Sequence, residues 1–307
     1  MEIYHVDIHQ KIEQKKPITA CIGYFDGLHK GHQALINKVL QQAKQTNTVP
    51  AVITFDPDPW SILHQMKSIS HITSMNDRMQ LAQEMGIQLW IIIHFHEELA
   101  HLSAKCFHQE ILNPLQVQTL ICGHDFHYAN KGEGNIATLK DQSKFKVIVV
   151  DEVCIQEEKV RSSFIEKLII DGEVEHVERL LGRFYCMKGK VFKGRQIGRK
   201  IGFPTANLLL NYPYIYPKNG VYIGSVYVKE HQYMAIINIG NNPTLNYRQD
   251  ISIEAHILDF SADIYDEEII FYFHKRLRGE QKFINQEALV QQLQKDTKMA
   301  RNYFEER

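Results

Sequence analysis

Two histidines three positions apart carry the first chemistry in this sequence. His29 and His32 stand in "GYFDGLHKGHQALI", residues 23–36, with glycines at 23, 27 and 31. An apolar strand pattern, "ACIGYF", runs into this stretch. "HQALINKVLQQAKQ" runs out of it, with Leu35, Val39 and Ala43 on one helical face. A helix that starts directly after a strand turns its unpaired N–H groups and positive dipole end toward the connecting loop. Glycines such as Gly23 and Gly31 let a phosphate approach the backbone there. Two imidazoles could then donate to phosphoryl oxygens whose charge grows during transfer. Such chemistry needs positioning and charge stabilisation rather than a covalent intermediate. The plain alternative is two loop histidines, one capping the helix, in a chain with 16 histidines. The order strand, glycine turn, HxGH, helix favours the functional reading.

A second stretch, "GKVFKGRQIGRKIGFPTANL" (189–208), holds six basic residues when Lys188 is counted. It reads either as an exposed basic ribbon suited to RNA or as a loop wrapped around phosphates. Its glycines at 189, 194, 198 and 202 fit the second reading, and no aromatic stacking series runs through it. Thr205 and Asn207 lie two apart, so on a strand their oxygens share a face and suit a hard cation such as Mg²⁺. Polar turn or edge residues are the alternative. A third stretch, "VRSSFIEKLI" (160–169), places Arg161, Ser162 and Ser163 where a helix opens. That gives an anion a guanidinium fork, two hydroxyls and free N–H groups, although simple N-capping by the serines explains them equally well. His94, His96 and His101 in "HFHEELAH" have no cysteine or aspartate at ligand spacing within the stretch, which reads as a solvated loop.

The elements that must position these groups fall into two textures. Strand patterns at 20–25, 51–55, 89–95, 119–123 and 146–150 alternate with helical ones, among them "NDRMQLAQEMG" bracketed by Asn76 and Gly86 as N-cap and C-cap. Apolar strands separated by helices imply an α/β domain with a parallel sheet covered on both faces, ligands binding beyond the strand ends. Two short helices follow, "SSFIEKLIIDG" and "EVEHVERLLG". From about Phe184 six strand patterns succeed one another with little helix, as in a small closed antiparallel β-barrel. A last helix, roughly 285–305, opens at Asn285. The expected division is 1–182 and 183–307.

Composition narrows the partners. With 307 residues, 44 % hydrophobic and 23 % charged, the chain suits two globular domains. A formal net charge of -1 gives no global attraction to nucleic acid or anionic membrane, and the expectation is for neither as a partner. Five scattered cysteines without a CxxC pair argue against a disulfide framework and a structural zinc site. The N-terminal residues resemble no signal peptide, and the longest apolar run, "LWIII", cannot span a bilayer, so a cytoplasmic location is expected. No feature sets an oligomeric state.

The HxGH stretch resembles the motif of the nucleotidyltransferase superfamily. Phe25, Asp26 and Gly27 match its bacterial FAD synthetase branch, as do "TFDPDPW" (54–60), "CGHDFHYANKGEG" (122–134) and "VRSSFIEKLI" in order. The second half resembles riboflavin kinase through GxxxGR…GFPTAN, "NGVYIG", "NIGNNPT", "SIEAHILDFSADIYDE" and "LRGEQKF". Together the resemblance is to the bifunctional riboflavin kinase/FAD synthetase family, over nearly the whole chain. It implies phosphorylation of riboflavin to FMN with MgATP, then adenylylation of FMN to FAD with release of pyrophosphate. By resemblance, His29 and His32 contact ATP phosphates, Asp26 shapes the nucleotide pocket, and Asp125 lies beside the flavin phosphate or ribityl chain. Thr205 and Asn207 ligate Mg²⁺ with ATP, Gly194 and Arg199 line the phosphate loop, and Tyr265 flanks the adenosine. Glu254 is the general base for the riboflavin 5′-hydroxyl, and Arg278 and Phe283 hold the flavin.

Two positions depart from the family pattern: Asp58 replaces a histidine, and Glu166 stands where an arginine is common. If that arginine holds triphosphate, Lys131 or Lys167 would have to compensate. Two other readings therefore stay open, a kinase with a weakened adenylyltransferase and a nucleotide- or RNA-binding regulatory protein.

Overall fold

Strands that are apolar at every position need cover on both faces, and the first half of the chain supplies two cores. A computed structural model describes residues 1–14, 16–66, 68–142, 144–194, 197–241 and 251–307. Part of the basic stretch (195–196) and the end of "NIGNNPT" (242–244) lie outside the described residues. Six parallel strands form one sheet: β1 (Glu2–Val6), β2 (Ile18–Ile22), β3 (Val49–Asp56), β4 (Leu89–His94), β5 (Val117–Gly123) and β6 (Lys146–Val150). Their order is β1-β4-β3-β2-β5-β6. Alternate side chains go to opposite cores. Ala20, Ile53 and Ile91 face one, while Cys21, Val52 and Trp90 face the other, with Leu35, Ile36 and Val39 of the helix Lys30–Thr46. Full burial of each such aliphatic side chain contributes roughly 1.5–3 kcal/mol.

The sheet is the parallel one expected, with one strand more. β1 pairs with β4 at the edge, and its exposed Glu2 and Ile3 break the continuous apolar signal that marks the other strands. The helix Met75–Met85 is capped by Ser74, whose side chain accepts from the Asp77 N–H, and not by Asn76, which lies inside it; Gly86 closes it at φ 110°. A two-stranded hairpin, β7 (Cys154–Ile155) and β8 (Glu158–Lys159), adds a small feature that the pattern missed.

Six antiparallel strands close the second sheet: β9 (Tyr185–Phe192), β10 (Ala206–Leu210), β11 (Gly220–Val228), β12 (His231–Asn241), β13 (Ile251–Ile257) and β14 (Glu268–Arg278). Around the barrel the order is β10-β13-β12-β11-β14-β9, matching the six expected strands. The helix Gln286–Glu305, capped by Asn285, lays Ala300, Tyr303 and Phe304 on Val221, Ile223 and Ile236. The helix Val174–Leu181 buries Val174, Val177, Leu180 and Leu181 against β9 and β14. This packing groups it with the barrel, so the two compact units meet in sequence at Ser162 and Ser163, twenty residues ahead of the 182/183 division. All five cysteines are free.

Candidate functional site

In the first unit β2 lies between β3 and β5, and the chain leaves β2 toward β3 but returns later on the side of β5. Loops diverge at such a switch point and leave a crevice beyond the carboxyl ends of the two strands. His29 and His32 follow β2 and Asp125, which is exposed, follows β5, so the topology brings them to this edge.

His29 is the N-cap of the helix Lys30–Thr46. Its Nδ1 accepts the His32 N–H at 3.2 Å, which assigns the proton of a neutral ring to Nε2. The two rings stack, with centroids 3.6 Å apart and 15° between planes. One histidine caps the helix, as the plainer reading has it, and the cap fixes where both rings stand. Gly31 leaves room for the stack, since a Cβ there would lie 3.0 Å from His29 Cε1 and 3.4 Å from the Val160 carbonyl oxygen. Phe25 is buried in the core at φ 60° and meets the His32 ring edge-on at 5.1 Å. It acts as a wedge under the imidazole. A Cβ on Gly23 would touch the same phenyl ring at 3.4 Å.

Asp26 anchors this loop. Its carboxylate accepts from the N–H groups of Gly27, Ile72 and Thr73 and from Arg78 Nη2 at 2.9 Å, with Arg78 fully buried. Burial pushes its carboxyl up, but His71 and the Arg78 guanidinium outweigh this and bring it down to about 2. So Asp26 braces the loop, its oxygens already engaged by protein groups. Arg78 was missed from sequence because "NDRMQ" shows only a helix pattern, and His71 and Thr73 because no motif covers the segment before it. The Asp26 carbonyl accepts from the Ser162 hydroxyl at 3.1 Å, which brings Arg161 and Ser162 to the loop. Arg161 is exposed, and Ser163 is exposed on the first turn of its helix.

The departure at Asp58 has a local partner. Asp58 Oδ1 caps the helix Pro59–Leu63 by accepting the Trp60 N–H, and Oδ2 lies 3.7 Å from His71 Nδ1. The added negative charge thus faces a titratable imidazole that Asp26 also approaches at 3.7 Å. Lys131 is exposed in the loop after β5, while Glu166 and Lys167 belong to the helix Ser162–Asp171.

In the second unit Asn207 of β10 is paired directly with Glu254 of β13, so both side chains share one face. Thr205, two residues earlier, donates from Oγ1 to Glu254 Oε2 at 3.2 Å. Burial raises the Glu254 carboxyl above its ordinary value, opposed by this hydrogen bond. Gly194 passes so close that a Cβ on it would lie 2.6 Å from Asn207 Nδ2. A cavity of about 350 Å³ adjoins the cluster, lined by Arg199, Thr205, Phe260, Asp263 and Tyr265 among others. Phe260 and Asp263 come from "DFSAD", a turn between strands whose composition gave no chemical signal by itself.

Arg278 and Phe283 are not brought to this cavity. The Arg278 guanidinium is taken by Asp296 of the last helix, with Nη2 at 2.8 Å and Nε at 3.2 Å from Oδ2, and Asp296 is almost fully buried. Phe283 is half-buried in the segment between β14 and that helix.

Comparisons with known proteins cover both halves of the chain. A family model described as FAD synthetase matches residues 11–164, and one described as riboflavin kinase matches 181–304. A bifunctional riboflavin kinase/FMN adenylyltransferase of Listeria monocytogenes is 36 % identical, over 92 % of this chain and 91 % of its own. One from Bacillus subtilis is also 36 % identical, over 96 % and 94 %. A crystal structure titled as a macrolide-efflux protein from Streptococcus pneumoniae superposes with a TM-score of 0.88 at 28 % identity, covering 99 % of this chain and all of that one. Among the described residues no helix is long and apolar enough to cross a membrane.

Proposed function

We propose that two separate residue clusters carry the two reactions of this chain, which belongs to the bifunctional riboflavin kinase/FMN adenylyltransferase family. It is an enzyme that phosphorylates riboflavin to FMN and adenylylates FMN to FAD, each with ATP. The clustering of Thr205, Asn207 and Glu254, with Thr205 at the wall of the cavity, carries the kinase assignment.

In the barrel the riboflavin 5′-hydroxyl oxygen attacks the γ-phosphorus of ATP, its proton passes to Glu254, and ADP leaves. An alcohol is a poor nucleophile near neutral pH, and a carboxyl raised by burial is a stronger base once ionised. Thr205 holds that carboxylate in place. Gly194 and Arg199 border the polyphosphate, and Tyr265 flanks the adenosine. The donors here are all oxygens, which suits Mg²⁺, and Thr205 and Asn207 would hold it. The ion, when bound, supplies neutralisation of phosphate charge. We assign Arg278 to bracing the last helix through Asp296 rather than to the flavin.

In the α/β unit an FMN phosphate oxygen attacks the α-phosphorus of ATP, the bond to the β-phosphate bridge breaks, and pyrophosphate leaves. His29, His32 and the helix N-terminus donate to the phosphates, and Arg161 with Ser162 and Ser163 adds an anion contact. Gly31, Phe25 and Asp26 set the geometry of the histidines, and Asp125 lies toward the flavin chain. Asp58 is engaged locally, capping the helix Pro59–Leu63 beside His71, which leaves the HxGH turn intact. Both clusters suit phosphate chemistry, so the efflux in the structural relative's title is not carried over. A cytoplasmic location suits an enzyme that consumes ATP.

Incubation of the purified chain with riboflavin and MgATP, followed by chromatography of the flavins, tests this reading. Both FMN and FAD are expected. FMN alone would remove the adenylyltransferase assignment, and neither product would remove both.

A further inference from the structure

The stretch "HFHEELAH" lacks an aspartate at ligand spacing when read alone, and the fold supplies one. Parallel pairing of β1 with β4 matches Val6 to Ile93, so the residues after β1 and after β4 emerge side by side at one sheet edge. One donor atom each from Asp7, His9 and His96 then lie within 4.8 Å of one another. These are not a solvated loop: β4 ends at His94, and His96 opens the short helix Glu97–Ala100.

We propose that Asp7, His9 and His96 form a site for a divalent transition-metal ion of the Zn²⁺ class, separate from both phosphate clusters. The donor set is two imidazole nitrogens and one carboxylate oxygen, which suits Zn²⁺ or Co²⁺ and disfavours Mg²⁺, a cation that takes oxygens. Three protein ligands leave a fourth position open to water or a small anion. The remaining polar atoms are arranged as around a metal ligand. His9 Nε2 is 2.9 Å from Glu98 Oε2, leaving Nδ1 for an ion and giving the ring the carboxylate partner that orients a ligating histidine. Asp7 Oδ1 accepts the His9 backbone N–H at 2.9 Å, leaving Oδ2. His96 Nε2 is buried with no hydrogen-bond partner among the described residues, a costly state that coordination of the ring would offset. The rings of His9 and His96 stack at 5.5 Å, and the His94 ring lies 5.5 Å from that of His96. Tetrahedral zinc at about 2.0–2.1 Å from each donor needs donors roughly 3.3 Å apart, so closure takes at most about 1.5 Å. Rotation of the exposed His9 side chain provides it. A groove of about 210 Å³ lined by His5, Asp7, Gln10, Asp56 and His94 opens beside the cluster and gives the open position access to solvent.

The test is titration of the full chain with Co²⁺, read by visible d–d absorption, with Zn²⁺ and Mg²⁺ as competitors; no flavin enters, so its outcome is independent of the phosphate sites. One equivalent should give the intense absorption of a tetrahedral site, displaced by Zn²⁺ and not by excess Mg²⁺. Asp7→Asn and His96→Ala should each weaken binding by at least about 10-fold, the loss that even an outer-shell partner carries, and His101→Ala should not. Unchanged binding in either Asp7→Asn or His96→Ala, or displacement by Mg²⁺, overturns the site. Circular dichroism of both variants should match the parent.

Discussion

The Thr205 hydroxyl donates a 3.2 Å hydrogen bond to the Glu254 carboxylate, on the strand face that Asn207 shares. Burial raises the Glu254 carboxyl and this bond opposes the rise. Protonation removes the base, so riboflavin phosphorylation should fall on the acid side at a pH above the ordinary carboxylate range. Thr205→Val deletes the opposing bond and should move that limb to still higher pH. A pH–rate profile for FMN formation in which both limbs coincide would contradict the coupling. Glu254→Gln should lower the rate by about 10²–10⁴-fold.

Gly31 makes room for the stacked imidazoles. Gly31→Ala puts a methyl 3.0 Å from His29 Cε1 and must displace the ring. The ring must give by a few tenths of an ångström, so FAD formation from FMN should fall, by less than the about 100-fold that roughly 1 Å of misplacement costs, with FMN formation from riboflavin unchanged. Equal loss of both rates would show a folding defect instead.

Asp26 is a brace with a pH signature. Its folded-state value of about 2 lies below the unfolded value near 3.9, so its stabilisation is complete above the latter and lost as pH falls through the former. Asp26→Asn leaves Arg78 buried without its carboxylate and should cost about 3–5 kcal/mol. In urea unfolding, the gap between parent and variant should narrow as pH falls from about 4 to about 2. A gap independent of pH would mean that the ion pair is not what stabilises the loop.

Arg278 separates two roles by one measurement. As the partner of buried Asp296 it braces the last helix, and Arg278→Ala should lower the melting temperature through a loss of about 3–5 kcal/mol. If it held the flavin instead, KM for riboflavin would rise with the melting temperature unchanged.

Much of this was legible because burial and chemistry leave different marks in sequence. Strands β2 and β4 are apolar at successive positions because both sheet faces are covered, and barrel strands β9 and β13 alternate because one face is not, while β11, under the last helix, is buried nearly throughout. The HxGH turn was legible because glycine spacing and helix onset coincide. β1 was not, since an edge strand with exposed Glu2 and Ile3 has no such pattern. Ser74 and Asn76 are both good caps two residues apart, and only the Asp77 N–H decides between them. Ser74→Ala should therefore cost about 1 kcal/mol. Asp7 with His96, and Arg278 with Asp296, are long-range pairs that no local spacing reveals.

The separation of the two reactions is tested most directly by mixing variants. His29→Ala given riboflavin and MgATP should stop at FMN, and Glu254→Gln should make FAD only from supplied FMN. A mixture of the two given riboflavin should accumulate FAD, because each supplies the step that the other lacks. If the mixture makes no FAD, or if either variant loses both reactions, the assignment of His29 and Glu254 to independent sites is wrong.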